Sequence, residues 1–428
     1  RRGLRAVKIA VIGGGAAGMM AALSAKKVNP GAEVLLLEKN EKLGKKIFIS
    51  EKGRGNLTNS ADIGDFPQHF FRNSRFLYSA FSAFSNRDLW RLMEENGCPL
   101  KEERGGRVFP LSDHAFSITD ALKRALKKSG VKLLYRTEAR EIRLRNGAVS
   151  SVRCREGEIS ADRIIVATGG LSYPSTGSTG DGYRFAEETG HRLRECLPSL
   201  VPLLVEEGDC RFLQGLKLRN AGLSIRDEEG RSYYESFGEI DFLPDALSGP
   251  IILSASAELT ELLHSEEAKR GLLLTAHIDL KPALTEKMLE GRLIRELENA
   301  GGGGLERVLS ALLPLRFLPV FLRRLEKRGI SRREKAGELS REKRREIETL
   351  LRDFCFTIRG TASFREAIIT RGGVDTRDIS PKSMESRRVR GLYFAGELLD
   401  IDASTGGYNM QAAFSTGFLA GRSAAEER

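Results

Sequence analysis

Lys8 to Ile12 (KIAVI) is a short apolar run that stops at Gly13-Gly-Gly-Ala-Ala-Gly18, and no other segment of the chain restricts its fold so tightly. The run predicts a buried strand, and the small-residue segment Met19 to Lys27 predicts a helix directly after the glycines. Gly13, Gly15 and Gly18 fit the spacing G-x-G-x-x-G. The first allows a tight turn, the second lets a pyrophosphate approach the backbone, and the third lets helix pack on strand. The helix start, with Ala16 and Ala17, offers free N–H groups and a positive dipole end to phosphate. A second apolar run, Glu33 to Leu37, ends at Glu38-Lys39. Glu38 lies 20 residues after Gly18, where a carboxylate accepts hydrogen bonds from a ribose hydroxyl pair. An acid there disfavours a 2′-phosphate and so disfavours NADP. The ordered set predicts an α/β dinucleotide-binding domain, with Gly13, Gly15, Ala16, Ala17, Gly18, Glu38 and Lys39 as cofactor contacts. The motif alone does not separate FAD from NAD.

Three later segments bear on that choice. Val131 to Tyr135 reads as a strand, and Glu141 to Arg145, Asn146-Gly147 and Ala148 to Arg153 read as a hairpin with an Asn-Gly turn. Ile159 to Ala167 reads as one returning apolar strand that ends in Ala167-Thr-Gly-Gly170. A β-meander closing on Ala-Thr-Gly is the insertion of two-dinucleotide-binding flavoproteins, and it would bring Ala139 and Arg140 near the adenine. The plain alternative is an ordinary hairpin. Near the C-terminus, Gly391-Leu-Tyr-Phe-Ala-Gly-Glu397 is an apolar strand running into Gly-acid. Gly396 would let the chain pass close to a ribityl chain, and Glu397 could accept from one of its hydroxyls. Gly406-Gly407 then opens a small-residue helix whose N-terminus, beside an isoalloxazine, would stabilise the anion of the reduced ring. Asn409, Gln411 and Ala412 are the expected contacts there, against the simpler reading of a glycine turn that caps a helix.

With these motifs in place, Gly44-Lys-Lys-Ile-Phe-Ile-Ser50 through Gly53-Arg-Gly-Asn-Leu-Thr-Asn59 resembles the BaiN-like, or aminoacetone-oxidase-type, NAD(P)/FAD-dependent oxidoreductases. Gly177-Ser-Thr-Gly-Asp-Gly-Tyr183, Ile369-Thr-Arg-Gly-Gly-Val374 and Gly396-Glu-Leu-Leu-Asp-Ile-Asp402 match in order, so the resemblance spans nearly the whole chain. It implies a glutathione-reductase-like Rossmann fold of the two-dinucleotide-binding type, with an inserted β-barrel and a helical subdomain. It also implies non-covalent FAD held by the Gly13–Gly18 turn, Glu38, Arg54 and Asn56, Ala139, Thr168 and Gly169, Glu397 and the 409–412 segment. Two departures stand out. Glu51-Lys-Gly-Arg-Gly-Asn56 replaces the family's Gly-Gly-Gly-Arg-Cys-Asn. Phe242-Leu-Pro-Asp-Ala-Leu-Ser-Gly-Pro250 replaces its Phe-Thr-His-x-Gly-x-Ser-Gly-Pro. A catalytic role at those Cys and His positions is left without its residues, whereas Arg54 and Asn56 remain.

The flavin pattern stops near Leu200. Leu200 to Val205, Leu216 to Ile225, Ser232 to Asp241 and Leu272 to Asp279 read as strands of a small barrel or sandwich, with turns at Gly208, Asn220 to Gly222 and Glu228 to Gly230. Leu284 to Leu297, Leu305 to Leu313 and Phe317 to Asp353 read as helical. The expected organisation is a discontinuous FAD domain (1–199 and 355–428), a β-barrel-like insertion (200–282) and a helical insertion (283–354), with substrate where insertion and flavin domain meet.

Composition narrows the function further. Five widely spaced Cys with no Cys-x-x-Cys argue against a disulfide framework, a zinc site and a dithiol pair, and no metal is expected. No run of about 18 apolar residues suggests a membrane span, and Arg1 to Val7 lacks a secretory pattern, so a cytoplasmic location is expected. The net charge of +11 raises an anionic partner. Between Arg316 and Arg345 stand 12 Lys or Arg against 4 Asp or Glu, without a stacking-aromatic pattern. A solvated face is the favoured reading there, and an RNA-associated flavoprotein the alternative. A non-catalytic flavin protein is a third reading. The expected partner is a small organic substrate, with NADH or NADPH as a reductant from solution. No second dinucleotide motif follows a strand, and no assigned acid or base stands out. Tyr173, Arg371 and Asp245 are the candidates, and His191 reads as structural.

Overall fold

The computed structural model describes residues 6–426. Five parallel strands form the central sheet in the order Leu392–Phe394, Arg163–Val166, Lys8–Ile12 (β1), Glu33–Glu38 (β2) and Lys132–Tyr135. β1 is central and buried from Ile9 to Ile12, which is why it is apolar without alternation: both faces are covered. Helix α1 (Ala16–Val28) leaves the end of β1. The chain then returns one strand over, with Ile12 opposite both Leu37 and Val166.

A separate three-stranded meander is built from Ala139–Arg145, Ala148–Cys154 and Gly157–Ser160. Its Asn146-Gly147 turn has both residues at positive φ (52° and 71°), the conformation a two-residue hairpin requires. The single strand expected over Ile159 to Ala167 is two strands. Asp162 interrupts it: its carboxylate accepts the Lys8 N–H at 2.8 Å while its own N–H donates to the Lys8 carbonyl. Gly157–Ser160 thus stays in the meander and Arg163–Val166 joins β1.

Two compact units emerge. One comprises the chain up to Ser199 and again from Phe364. The other is Leu200–Ser363. The second unit is a closed six-stranded barrel in the order Leu203–Val205, Ala246–Ser248, Ser232–Leu243, Lys217–Asp227, Leu274–Asp279 and Phe354–Thr361. The last strand closes the barrel on the first, so the first unit resumes at Phe364 rather than at 355. The turn expected at Asn220 to Gly222 is a bulge within one long strand, where the register shifts between Leu218 and Ala221. Helix Pro250–Leu263, absent from the sequence expectation, starts behind Gly249 with proline at its first position. Barrel and helices share one core. Phe317 packs on Phe242 and Phe354 at ring distances of 6.1 and 5.0 Å, so the two insertions are a single packed body.

Candidate cofactor site

The site grows from the turn between β1 and α1. Gly13 has φ +106°, its N–H donates to the Leu37 carbonyl, and a Cβ there would lie 2.5 Å from the Ala167 oxygen. Gly18 sits against the same turn, since a Cβ on it would fall 1.8 Å from the Gly13 oxygen. Only hydrogen at both positions lets strand, turn and helix close up. No side chain caps α1 and no acid stands in its first turn, so the first-turn N–H groups and the dipole keep their positive end. Gly15 differs from its neighbours: nothing lies within 4 Å of where its Cβ would be. The buried Glu38 carboxylate accepts from the Gly14 N–H (2.9 Å) and from the Asn40 N–H and side-chain amide (2.8 and 2.7 Å). It ties β2 to the glycine turn and retains acceptor capacity for a further hydroxyl. Lys39 is committed elsewhere: its ammonium sits on Thr179 and on Asp181 at 2.6 Å.

The second half comes from the other end of the chain. Helix Tyr408–Ala425 runs parallel to α1 in close contact, because Gly417 lies over Ala17 and Gly421 over Ala21. A Cβ at these glycines would lie 2.2 and 2.0 Å from the facing carbonyl oxygens. That register places the start of the C-terminal helix eight residues, about 12 Å, beyond the start of α1. Its N-terminus also has neither a side-chain cap nor an acid. The two helix ends therefore point the same way, offset along one line. Between them Gly396 turns at φ +83° with its N–H on Thr416 Oγ1. Glu397 accepts from Lys46 Nζ (2.5 Å), Ser172 Oγ (2.6 Å) and the Thr370 N–H (3.0 Å). The Thr168 hydroxyl oxygen is buried without a hydrogen-bond partner among the described residues. Two uncapped helix ends that point the same way, one of them behind a closely packed glycine turn, fit a ligand that carries phosphates at one end and a polar ring at the other, as FAD does.

Several expected contacts are used differently. Asn409 folds back on its own loop: its oxygen accepts from the Ala403 N–H and its nitrogen donates to the Ala403 carbonyl. Gln411 is fully buried, accepting from Thr58 Oγ1 and donating to Ser415 and Phe84. Ala412 is buried as well. At this helix end the backbone is what remains to meet a ligand, and the side chains brace it. Asn56 braces the same turn, with its amide oriented to accept from the Gly407 N–H and donate to the Thr58 carbonyl. Asn59, not foreseen, donates to the Gly406 carbonyl. Arg54 is gripped by Glu103 and Asp113 over the Phe109 ring, which pushes its pKa up further. Ala139 is buried on the first meander strand, and Gly169 turns at φ +74° beside Ser178. Lys46 and Ser172, which hold Glu397, were marked only by the Gly44–Ser50 run and by proximity to Ala167–Gly170.

The catalytic candidates separate. Arg371 is a buried cation: its guanidinium meets Asp402 at 2.8 Å, with side chains 4% and 0% exposed, over the Phe71 ring. A buried carboxylate of this kind requires such a partner. Asp245 pairs with Arg211 at the surface. Both ring nitrogens of buried His191 are occupied, by Thr189 and Ala186 on one side and Ser386 on the other. Tyr173 follows Ser172 in a left-handed conformation (φ 52°) that few side-chain-bearing residues adopt. Burial, then the charge of Glu366, raises its hydroxyl pKa. Much of the basic run is neutralised locally, by Arg324–Asp209, Arg328–Glu346, Arg332–Glu326 and Lys343–Glu334. Lys327, Arg333, Arg341 and Arg345 are exposed.

Residues 7–423 match the family model described as HI0933-like protein Rossmann domain. The chain belongs to this family. The HI0933-like chain is 31% identical over 420 residues to 3-dehydro-bile acid delta(4,6)-reductase of Clostridium scindens, covering 98% of itself and 99% of that relative. It is 31% identical over 414 residues to ribosomal RNA dihydrouridine synthase of Haemophilus influenzae, covering 95% and 96%. Among solved structures, 3-ketosteroid-delta4-(5alpha)-dehydrogenase from Rhodococcus jostii RHA1 shares its fold, with a TM-score of 0.53 at 14% identity over 98% of this chain and 97% of that one. The family is one of FAD-dependent oxidoreductases, and this member is an enzyme of that class. Among the described residues no helix is long and apolar enough to cross a membrane.

Proposed function

We propose that this enzyme adds two hydrogens across a carbon–carbon double bond conjugated to a carbonyl, in a small organic substrate. The observation that carries this is chemical. Two relatives of equal identity over nearly their whole lengths differ in the molecule named but share the bond. A 3-oxo-Δ4,6 steroid and a uracil ring both present an alkene polarised by a neighbouring carbonyl. Bound FAD would supply the hydride-transfer chemistry, with NADH or NADPH from solution as reductant. The chain's own part is to hold and polarise. The α1 end and Gly13–Gly15 would take the phosphates, Glu38 a ribose, and Lys46–Glu397–Ser172 a polyol. The N-terminus of Tyr408–Ala425 would favour negative charge on the ring facing it. Tyr173, kept protonated by burial, would give the second hydrogen as a proton.

The test is anaerobic. The holoenzyme is bleached with NADH or NADPH, and its reoxidation is followed with a 3-oxo-Δ4 steroid, with a uridine-containing ribosomal RNA transcript, and with air. Reoxidation by an unsaturated carbonyl compound with loss of its double bond is expected. If only air reoxidises the protein, the proposal fails. A second reading makes the uridine of an RNA the substrate. The dihydrouridine synthase relatives favour it, as do the net charge of +11 and the exposed Lys327, Arg333, Arg341 and Arg345. It requires RNA binding that weakens steeply with salt.

A further inference from the structure

The outer face of the barrel brings three different ligand atoms together. His277 and Cys355 stand directly opposite each other on the antiparallel strands Leu274–Asp279 and Phe354–Thr361. Asp353, just before the strand Phe354–Thr361, brings its carboxylate to the same face. The alternation of buried and partly exposed residues on both strands turns His277 and Cys355 outward, away from the core. His277 Nδ1 lies 2.7 Å from Asp353 Oδ1 and 3.2 Å from Cys355 Sγ, and Sγ lies 3.1 Å from the same carboxylate oxygen.

We propose that His277, Asp353 and Cys355 bind one divalent zinc ion, with the fourth position left to water. Nitrogen, oxygen and sulfur in one set suit a borderline-soft tetrahedral ion and disfavour Mg²⁺ or Ca²⁺, which prefer all-oxygen cages. Tetrahedral zinc with ordinary bond lengths separates such donors by about 3.4–3.6 Å, so each contact opens by only about 0.7 Å or less. The geometry also argues against a nucleophilic triad. Acid and thiol both face Nδ1, whereas a relay needs them on opposite ring nitrogens. On binding, the sulfur–hydrogen bond gives way to a zinc–sulfur bond and the proton leaves to solvent. Thiolate and carboxylate then balance the ion's two charges. The nearby Arg324 is already compensated by Asp209 at 2.7 Å; it also donates to the Cys355 carbonyl and lies over the Phe354 and Phe356 rings.

The position suggests a purpose. The chain leaves the barrel after Asp279 for the helices and returns at Asp353, the C-cap of helix Arg341–Arg352. An ion there would clasp the neck through which the helical segment departs and re-enters, tying residues 76 positions apart. Cysteine spacing hides the site, because its ligands come from two distant strands and include one cysteine.

The test uses the full-length holoenzyme. After saturation with Zn²⁺ and dialysis, elemental analysis should find one zinc per chain. Chelation should lower the melting temperature by about 5 °C or more. Cobalt substitution should give d–d bands to the red of the flavin, with a sulfur-to-metal transition. Cys355→Ser and His277→Gln should each lose the metal by at least tenfold in affinity while retaining bound flavin and far-UV circular dichroism. Chelated wild type, which carries no substitution, reads the same loss if a variant misfolds. Failure of the wild type to hold stoichiometric zinc would overturn the proposal. So would zinc retained undiminished in both variants, which would mark binding elsewhere.

Discussion

Gly15→Ala separates cofactor contacts from protein contacts. At Gly15 the backbone is extended (φ −81°, ψ −170°), a region open to alanine, and the added methyl meets no heavy atom within 4 Å. The fold should therefore be indifferent: apoprotein stability should stay within about 0.5 kcal/mol, or rise by up to about 1 kcal/mol because alanine restricts the unfolded chain. The cofactor should not be indifferent. Gly15 is the N-cap of an uncapped helix, where the phosphate oxygens must approach to hydrogen-bond distance. A methyl there displaces them, and loss of two charge-assisted hydrogen bonds at about 1.5–3 kcal/mol each gives at least about 3 kcal/mol, or more than a hundredfold in Kd. The assay pairs a fluorescence titration of apoprotein with FAD and a urea unfolding curve of the same apoprotein. Unchanged FAD affinity with unchanged stability would refute the placement of phosphate at this turn. A destabilised apoprotein would refute the contact argument itself.

Gly417→Ala makes the opposite prediction, because its Cβ would lie 2.2 Å from the Ala17 oxygen and the two helices must part by about 1 Å. It should cost about 1–3 kcal/mol or more in denaturant unfolding, and wild-type stability would contradict the packing. Asp375 is held at a pKa of about 2, chiefly by the Arg377 hydrogen bond, well below an ordinary aspartate. Its side chain is 5% exposed, so it should contribute about 2 kcal/mol that is present above pH 4 and lost as pH falls toward 2. Asp375→Asn should flatten that acid slope in urea unfolding measured from pH 5 to pH 2.5. Tyr173→Phe should lower turnover by about 10²-fold or more while FAD affinity is unchanged. An unaltered rate would remove Tyr173 as the proton donor.

The strand–glycine–helix unit and Glu38 were legible because their geometry is local: the turn needs glycine where the chain folds on itself within a few residues. The use of the Asn409 and Gln411 side chains within the protein is not legible for the converse reason. Gln411 is consumed by Thr58, Phe84 and Ser415, and only Ser415 is near it in sequence. Asn409 binds a loop whose path depends on Asp400 and Asp402, and Asp402 is in turn held by Arg371 from another strand. The Arg371 pair shows the same limit, since a single-sequence pattern does not say that a charged residue is buried. The charge of the 316–345 stretch is plain in the sequence, but its pairing exists only in three dimensions, with Asp209 and Glu346 lying outside it.

Pairing α1 with Tyr408–Ala425 has a consequence for how the protein is made. Ser24 donates to the carbonyl of Phe418, 394 positions later. During synthesis the small-residue face of α1 stays uncovered until the segment that holds Phe418, 394 positions after Ser24, has been made. A chain cut short before residue 408 has nothing to press against Ala17 and Ala21, so both helix ends of the cradle depend on residues far apart in sequence.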